Sequence, residues 1–120
     1  MSLRLQLRQA LRDAMRARDK VATSALRSAL AVLDNAEAVP VGAAELRGAA
    51  IEEAPVGVGV TEAARRELSE EHITDLVRAE AEERLALAAR FTAPAQADRA
   101  ALLREEAAVL LRLLDQPGTA

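Results

Sequence analysis

Residues 3–37 read LRLQLRQALRDAMRARDKVATSALRSALAVLDNAE, and this stretch decides the fold. Leu3, Leu7, Ala10, Leu11, Ala14 and Met15 recur at helical spacing, which predicts one apolar stripe on a first helix opened by Ser2 as N-cap. Val21, Ala25, Leu26, Ala29, Leu30, Leu33 and Ala36 repeat the pattern on a second helix, started by Asp19 or Thr23. That helix is expected to end near Val39, because Pro40 and Gly42 oppose its continuation. Two facing stripes joined by a short charged turn imply an antiparallel hairpin.

Beyond the hairpin, residues 39–61 change to Ala, Gly, Val and Pro, with few side chains large enough to bury much area. AAELRGAAIEEA, residues 43–54, could form a short helix, and PVGVGV, residues 55–60, reads as an extended hinge. Ser69 starts a third helix, with Glu70 and Glu71 at the positive end of its dipole. Its expected inner face is Ile73, Leu76, Val77, Ala81, Leu85 or Arg84, Ala88 and Phe91. Pro94 interrupts it, and Asp98 is expected to cap a fourth helix carrying Leu103, Ala107, Leu110, Leu111 and Leu114 inward until Pro117-Gly118. The expected fold is therefore all-α: a small helical bundle of four main helices, a single domain over residues 1–116, with 39–61 as joint and 117–120 as tail.

Composition narrows the chemistry. The 120 residues include no Cys, Trp or Tyr, one His and one Phe, which excludes disulfides, thiolate catalysis and Cys-based zinc sites. About half the chain is Ala, Leu or Arg, and Lys20 is the only lysine. The absence of cysteine fits a reducing setting, so a cytoplasmic location is expected. No apolar run is long enough to span a bilayer, and the opening segment lacks a signal-peptide core. That segment is amphipathic and arginine-rich, but Asp13 and Asp19 are unlike a targeting peptide.

Charge is unevenly spread. Residues 1–20 carry six cations against two acids, a net +4, which leaves −7 for the remainder of a chain totalling −3. Most of that negative charge falls between residues 37 and 90, so a basic end can steer an anionic partner despite the acidic whole. Arg4, Arg8, Arg12 and Arg16 step by four residues, drifting roughly 40° around the helix at each step. With Arg18, Lys20 and Arg27 they are the candidate RNA- or partner-binding residues. The competing reading is a solvated face in which Arg16 reaches Asp13.

No catalytic constellation is present in the sequence, and no metal or cofactor is implied. Gly57 and Gly59 lack the Lys or Ser/Thr that follows the last glycine of a phosphate loop. His72 stands near Glu70, Glu71 and Asp75, but without further ligands or a nucleophile it reads as a surface histidine in a first helical turn. Glu80, Glu82 and Glu83 read as a solvated face, and Ser and Thr lack a His-Asp set. With Phe91 the only aromatic, any RNA contact would go through phosphate and shape.

AMRARDKVATSALRSALAVLDNAE, residues 14–37, resembles the first helical hairpin of the YqeY-like (GatB/YqeY) family. The match runs through Met15, Arg18, Asp19, Lys20, Leu26 and Arg27, then Asn35, Ala36 and Glu37. ITDLVRAEAEERLALAARF and LLREEAAVLLRLLDQ are similar to the family's later helices through Val77, Glu80, Arg84, Phe91, Glu106, Val109, Leu110 and Leu114. The chain departs from the pattern at Leu85, Leu113 and Asp115 and in its long joint.

The resemblance implies kinship with the C-terminal tail of the B subunit of the glutamine-dependent tRNA amidotransferase. The tail helps hold tRNA, and the family is grouped with carbon–nitrogen ligases that take glutamine as amido-nitrogen donor. It also implies a second, smaller helical unit, which these residues do not include. Kinase and amidase domains are not in the sequence, so the expected function is that of a non-catalytic adaptor for tRNA or an amidotransferase-like complex. The alternative is a protein-interaction or homo-oligomer module without an RNA role. Asn35, Glu37 and Arg84 are family-motif positions with a structural or a binding role; the structural reading has Asn35 or Glu37 capping a turn or holding Arg27 or Arg84.

Overall fold

The computed structural model describes residues 2–38 and 67–116. In chain order these form α1 (Leu3–Ala17), α2 (Lys20–Ala38), α3 (Glu70–Arg90), a 3-10 turn at Pro94–Gln96 and α4 (Ala97–Asp115). The described residues are all-helical and pack as a small bundle. The expectations for the joint, for Gly57 and Gly59, and for the Pro117-Gly118 stop lie outside the described residues.

Local chemistry accounts for each helix start. The Ser2 hydroxyl accepts from the Leu5 amide at 3.2 Å, and the Ser69 hydroxyl from the His72 amide at 3.0 Å. Between the two possible caps of α2 the structure selects Asp19, whose carboxylate accepts from the Ala22 amide at 3.0 Å. Each such cap satisfies a donor that the helix itself leaves unpaired, typically stabilising by about 1 kcal/mol. At α4 the expectation is corrected: the helix opens at Ala97 from the preceding 3-10 turn, and Asp98 lies inside the first turn. Pro94, with its fixed φ and no amide hydrogen, suits the start of that short turn.

Both helix pairs are antiparallel. Arg4 at the start of α1 meets Glu37 at the end of α2, and Arg84 late in α3 meets Glu106 midway along α4. The α3–α4 pairing is the most extensive, and α2 lies against both of those helices as well as against α1. The core holds Leu7, Leu26, Leu33, Ile73, Val77 and Leu110. Among the described residues fourteen apolar side chains are buried, and the other eight are alanines, so the helices can approach closely with little side-chain volume between them. Each fully buried leucine contributes on the order of 1.5–3 kcal/mol, so the few large side chains carry most of the burial energy.

Two side chains differ from the expected inner faces, and one open choice is decided. Met15 is 49% exposed, turned out beside the hairpin turn. Phe91 caps the end of α3 half-buried, with the Arg99 guanidinium 5.3 Å from its ring centre, instead of entering the core. Where the third helix offered Leu85 or Arg84, Arg84 turns inward and Leu85 is exposed, because carboxylates on α3 and α4 await the guanidinium.

Candidate nucleic-acid interface

The seven cations proposed from sequence divide by what each one meets. Arg4 is taken up inside the fold: its side chain is 15% exposed, with Nη2 2.6 Å from Glu37 Oε2 and Nη1 3.5 Å from Asp34 Oδ1. Glu37 therefore holds an arginine across the hairpin, as the structural reading has it, but the partner is Arg4 and not Arg27 or Arg84. Asn35 is exposed. Along the outer side of α1, Arg12 donates to Gln9 Oε1 at 2.8 Å and Arg16 lies 3.4 Å from Asp13, both in exposed positions. Arg8 is exposed beside them. Contacts of this kind are weak and easily exchanged for a phosphate.

Arg18, Lys20 and Arg27 are brought together. They line one concavity of about 500 Å³ at the hairpin turn, with Met15, Thr23 and Ser24 completing the wall. Among the described residues no carboxylate lines it. The acids of the turn, Asp13 and Asp19, line a different concavity of about 350 Å³ that also includes Arg112 of α4. The sequence Arg18-Asp19-Lys20 is thus split by the backbone, with bases lining one concavity and the acid the other. Asp19 is further engaged with the Ala22 amide, and the Arg27 Nη2 rests 4.0 Å from the Met15 sulfur.

The split depends on an unusual backbone at Arg18. Its φ of 58° and ψ of 36° place it in the left-handed region, the only non-glycine residue there among those described. The Asp19 amide donates to the Ala14 carbonyl at 2.9 Å and the Arg18 amide to the Met15 carbonyl at 3.2 Å. These two bonds form a Schellman closure of α1, a position where glycine is usual. An arginine there costs about 1–2 kcal/mol relative to an unstrained residue. In return, α1 reverses into α2 in two residues, and a guanidinium stands at the apex.

Sequence reasoning missed Met15, Thr23 and Ser24 as parts of this wall. Met15 lies on the apolar stripe, and Thr23 was one of two cap choices. Selection of Asp19 as cap leaves the Thr23 hydroxyl available to the concavity. The signal that could have found the turn is the absence of glycine between two helices only two residues apart.

Arg84 belongs to a different arrangement. Its Nε donates to Glu106 Oε1 at 2.9 Å and its Nη1 to Glu80 Oε2 at 2.7 Å, with all three side chains 12–16% exposed. Burial acts to lower the Arg84 pKa, but the hydrogen bonds to Glu106 and Glu80 and their charges outweigh it, leaving a net rise. Three positions named by the resemblance therefore meet in one ion cluster that ties α3 to α4. His72 lies in the first turn of α3, half-buried. Among the described residues no group of three or more His, Asp or Glu is placed to hold a metal ion, and no helix is long and apolar enough to cross a membrane.

No protein-family model, no curated protein and no solved structure matches this chain.

Proposed function

We propose that the protein is a non-catalytic helical adaptor that holds RNA, with tRNA or a tRNA-handling complex as its partner, through the hairpin turn and the outer side of α1. The presence of Arg18, Lys20 and Arg27 in the lining of one concavity, with no carboxylate among the described residues that line it, supports this reading. Arg8, Arg12 and Arg16 extend the positive surface along α1, while Arg4 serves the fold. The resemblance of residues 14–37 to the YqeY-like family points the same way, since Arg18, Lys20 and Arg27 are among the matched positions. A tail of that kind grips tRNA while other domains do chemistry. With no aromatic at the concavity, recognition would rest on phosphates and shape, which makes it salt-sensitive and weakly sequence-specific.

The test is fluorescence anisotropy of labelled bulk tRNA, titrated at low and at moderate salt. Micromolar binding is expected to weaken steeply with salt. Arg18→Ala/Lys20→Ala/Arg27→Ala is expected to lose at least about tenfold in affinity and to flatten the salt dependence, since each lost phosphate contact lowers the log–log slope by about 0.7–0.9. Arg8→Ala/Arg12→Ala should show a smaller loss. If tRNA fails to bind even at low salt, the RNA role falls and the protein-interaction alternative takes its place.

A further inference from the structure

Resting on that reading, we propose that the hairpin-turn concavity receives the terminal phosphomonoester of an RNA chain, whose remaining backbone then follows the arginines of α1. Internal phosphates of a nucleic acid carry one negative charge each. A terminal monoester approaches two near neutral pH, because its second ionisation lies near pH 6. Three cationic residues line this one hollow, with two hydroxyl-bearing residues beside them, a set that exceeds what a single diester can neutralise and fits a dianion with several acceptor oxygens.

Place in the fold supports an end site. The hollow lies at the turn, where one helix closes on the next, and its volume of about 500 Å³ suits a phosphate with its attached nucleoside. The half-exposed Met15 offers that nucleoside an apolar wall, with the Arg27 guanidinium against its sulfur. The arginines of α1 provide the contrast. Arg12 and Arg16 are spread along an exposed surface and each leans on its own neighbour, Gln9 or Asp13, an arrangement suited to successive single charges. Arg18 holds its strained backbone where glycine would close the helix more easily, which keeps a guanidinium at the apex.

The experiment compares one short single-stranded RNA bearing a 5′-phosphate, a 3′-phosphate or hydroxyls at both ends, using the full chain and the same anisotropy readout. At least about tenfold tighter binding of one phosphorylated form at pH 7.5 is expected. That preference should shrink towards pH 5.5 as the monoester gains a proton, with the hydroxyl-ended RNA as the control for any pH effect on the protein itself. Arg18→Ala should remove the preference, weakening binding of the phosphorylated RNA far more than that of the hydroxyl-ended RNA. Equal binding of all three RNAs, with salt-sensitive tRNA binding retained, would overturn the end site and spare the adaptor. Loss of all RNA binding, tRNA included, would remove both. Equal competition by inorganic phosphate or a phosphoserine peptide at matched concentration would also overturn it, since the hollow would then recognise the anion without the RNA.

Discussion

The two helical pairs put their arginines to opposite uses. In α3–α4, Arg84 is drawn between Glu80 and Glu106 and nearly covered. At the turn of α1–α2, Arg18, Lys20 and Arg27 line a hollow with no carboxylate among its described lining residues. The same side chain is thus a structural tie in one place and an available charge in the other, and the deciding factor is the residue at the same level on the facing helix. Arg4 shows this within the hairpin itself: at the end where α2 carries Asp34 and Glu37, the arginine is consumed by the fold.

The largest effect that would break this contrast is at Arg84. Removing its guanidinium in Arg84→Ala leaves Glu80 and Glu106 close together and largely covered. Breaking a fully buried pair costs 3–5 kcal/mol, and the partial exposure here reduces the expectation to about 2–3 kcal/mol, read as a lower midpoint in urea. The raised Arg84 pKa adds stability that is fully present below the ordinary arginine range and is lost only as pH rises through the folded value. Arg84 itself should therefore add no pH dependence near neutrality. RNA binding by whatever fraction remains folded should match the parent protein.

A smaller effect is expected at Arg4. Asp34 is 69% exposed and Glu37 29%, so water can replace much of what Arg4→Ala removes. A loss of about 1 kcal/mol is expected, with tRNA affinity reduced less than twofold. A drop in affinity comparable to that of the turn triple variant, without a loss of stability, would show that Arg4 belongs with the available charges, and the division drawn from the facing helix would fail.

How much of this was legible follows from side-chain size and from what periodicity can encode. Leu7, Leu26, Leu33, Val77 and Leu110 were readable as core because a large apolar side chain at helical spacing has one favourable direction. Ser2 and Ser69 were readable as caps because a hydroxyl before a helix has a local use. Ala22 and Ala100 are also buried, but alanine suits either side of a helix and gives no direction. Met15 and Phe91 follow the apolar period and still lie partly outside, Met15 beside the turn and Phe91 at the end of α3, where the residues that meet them are arginines, Arg27 and Arg99. The choice between Leu85 and Arg84 could not be made from α3 alone, since it depends on Glu106 of α4. For the same reason the sequence grouped seven cations as one surface, and only the facing helices separate Arg4 from the rest.

The smallest effect is also the sharpest, because structure and binding should move in opposite directions. Arg18→Gly keeps the Schellman closure and relieves the left-handed strain, worth about 1–2 kcal/mol. Glycine also enlarges the conformational freedom of the unfolded chain, which takes back about 0.4–1 kcal/mol. The net expectation is a stability unchanged or raised by up to about 1.6 kcal/mol, seen as a higher urea midpoint at constant slope. Affinity for tRNA should nevertheless fall several-fold, since one of the three cationic residues lining the hollow is gone. A variant that is both less stable and equally good at binding RNA would mean that the Arg18 side chain packs for the fold. It would then join Arg4 and Arg84, and the hairpin turn would lose the feature that sets it apart from the other end of the bundle.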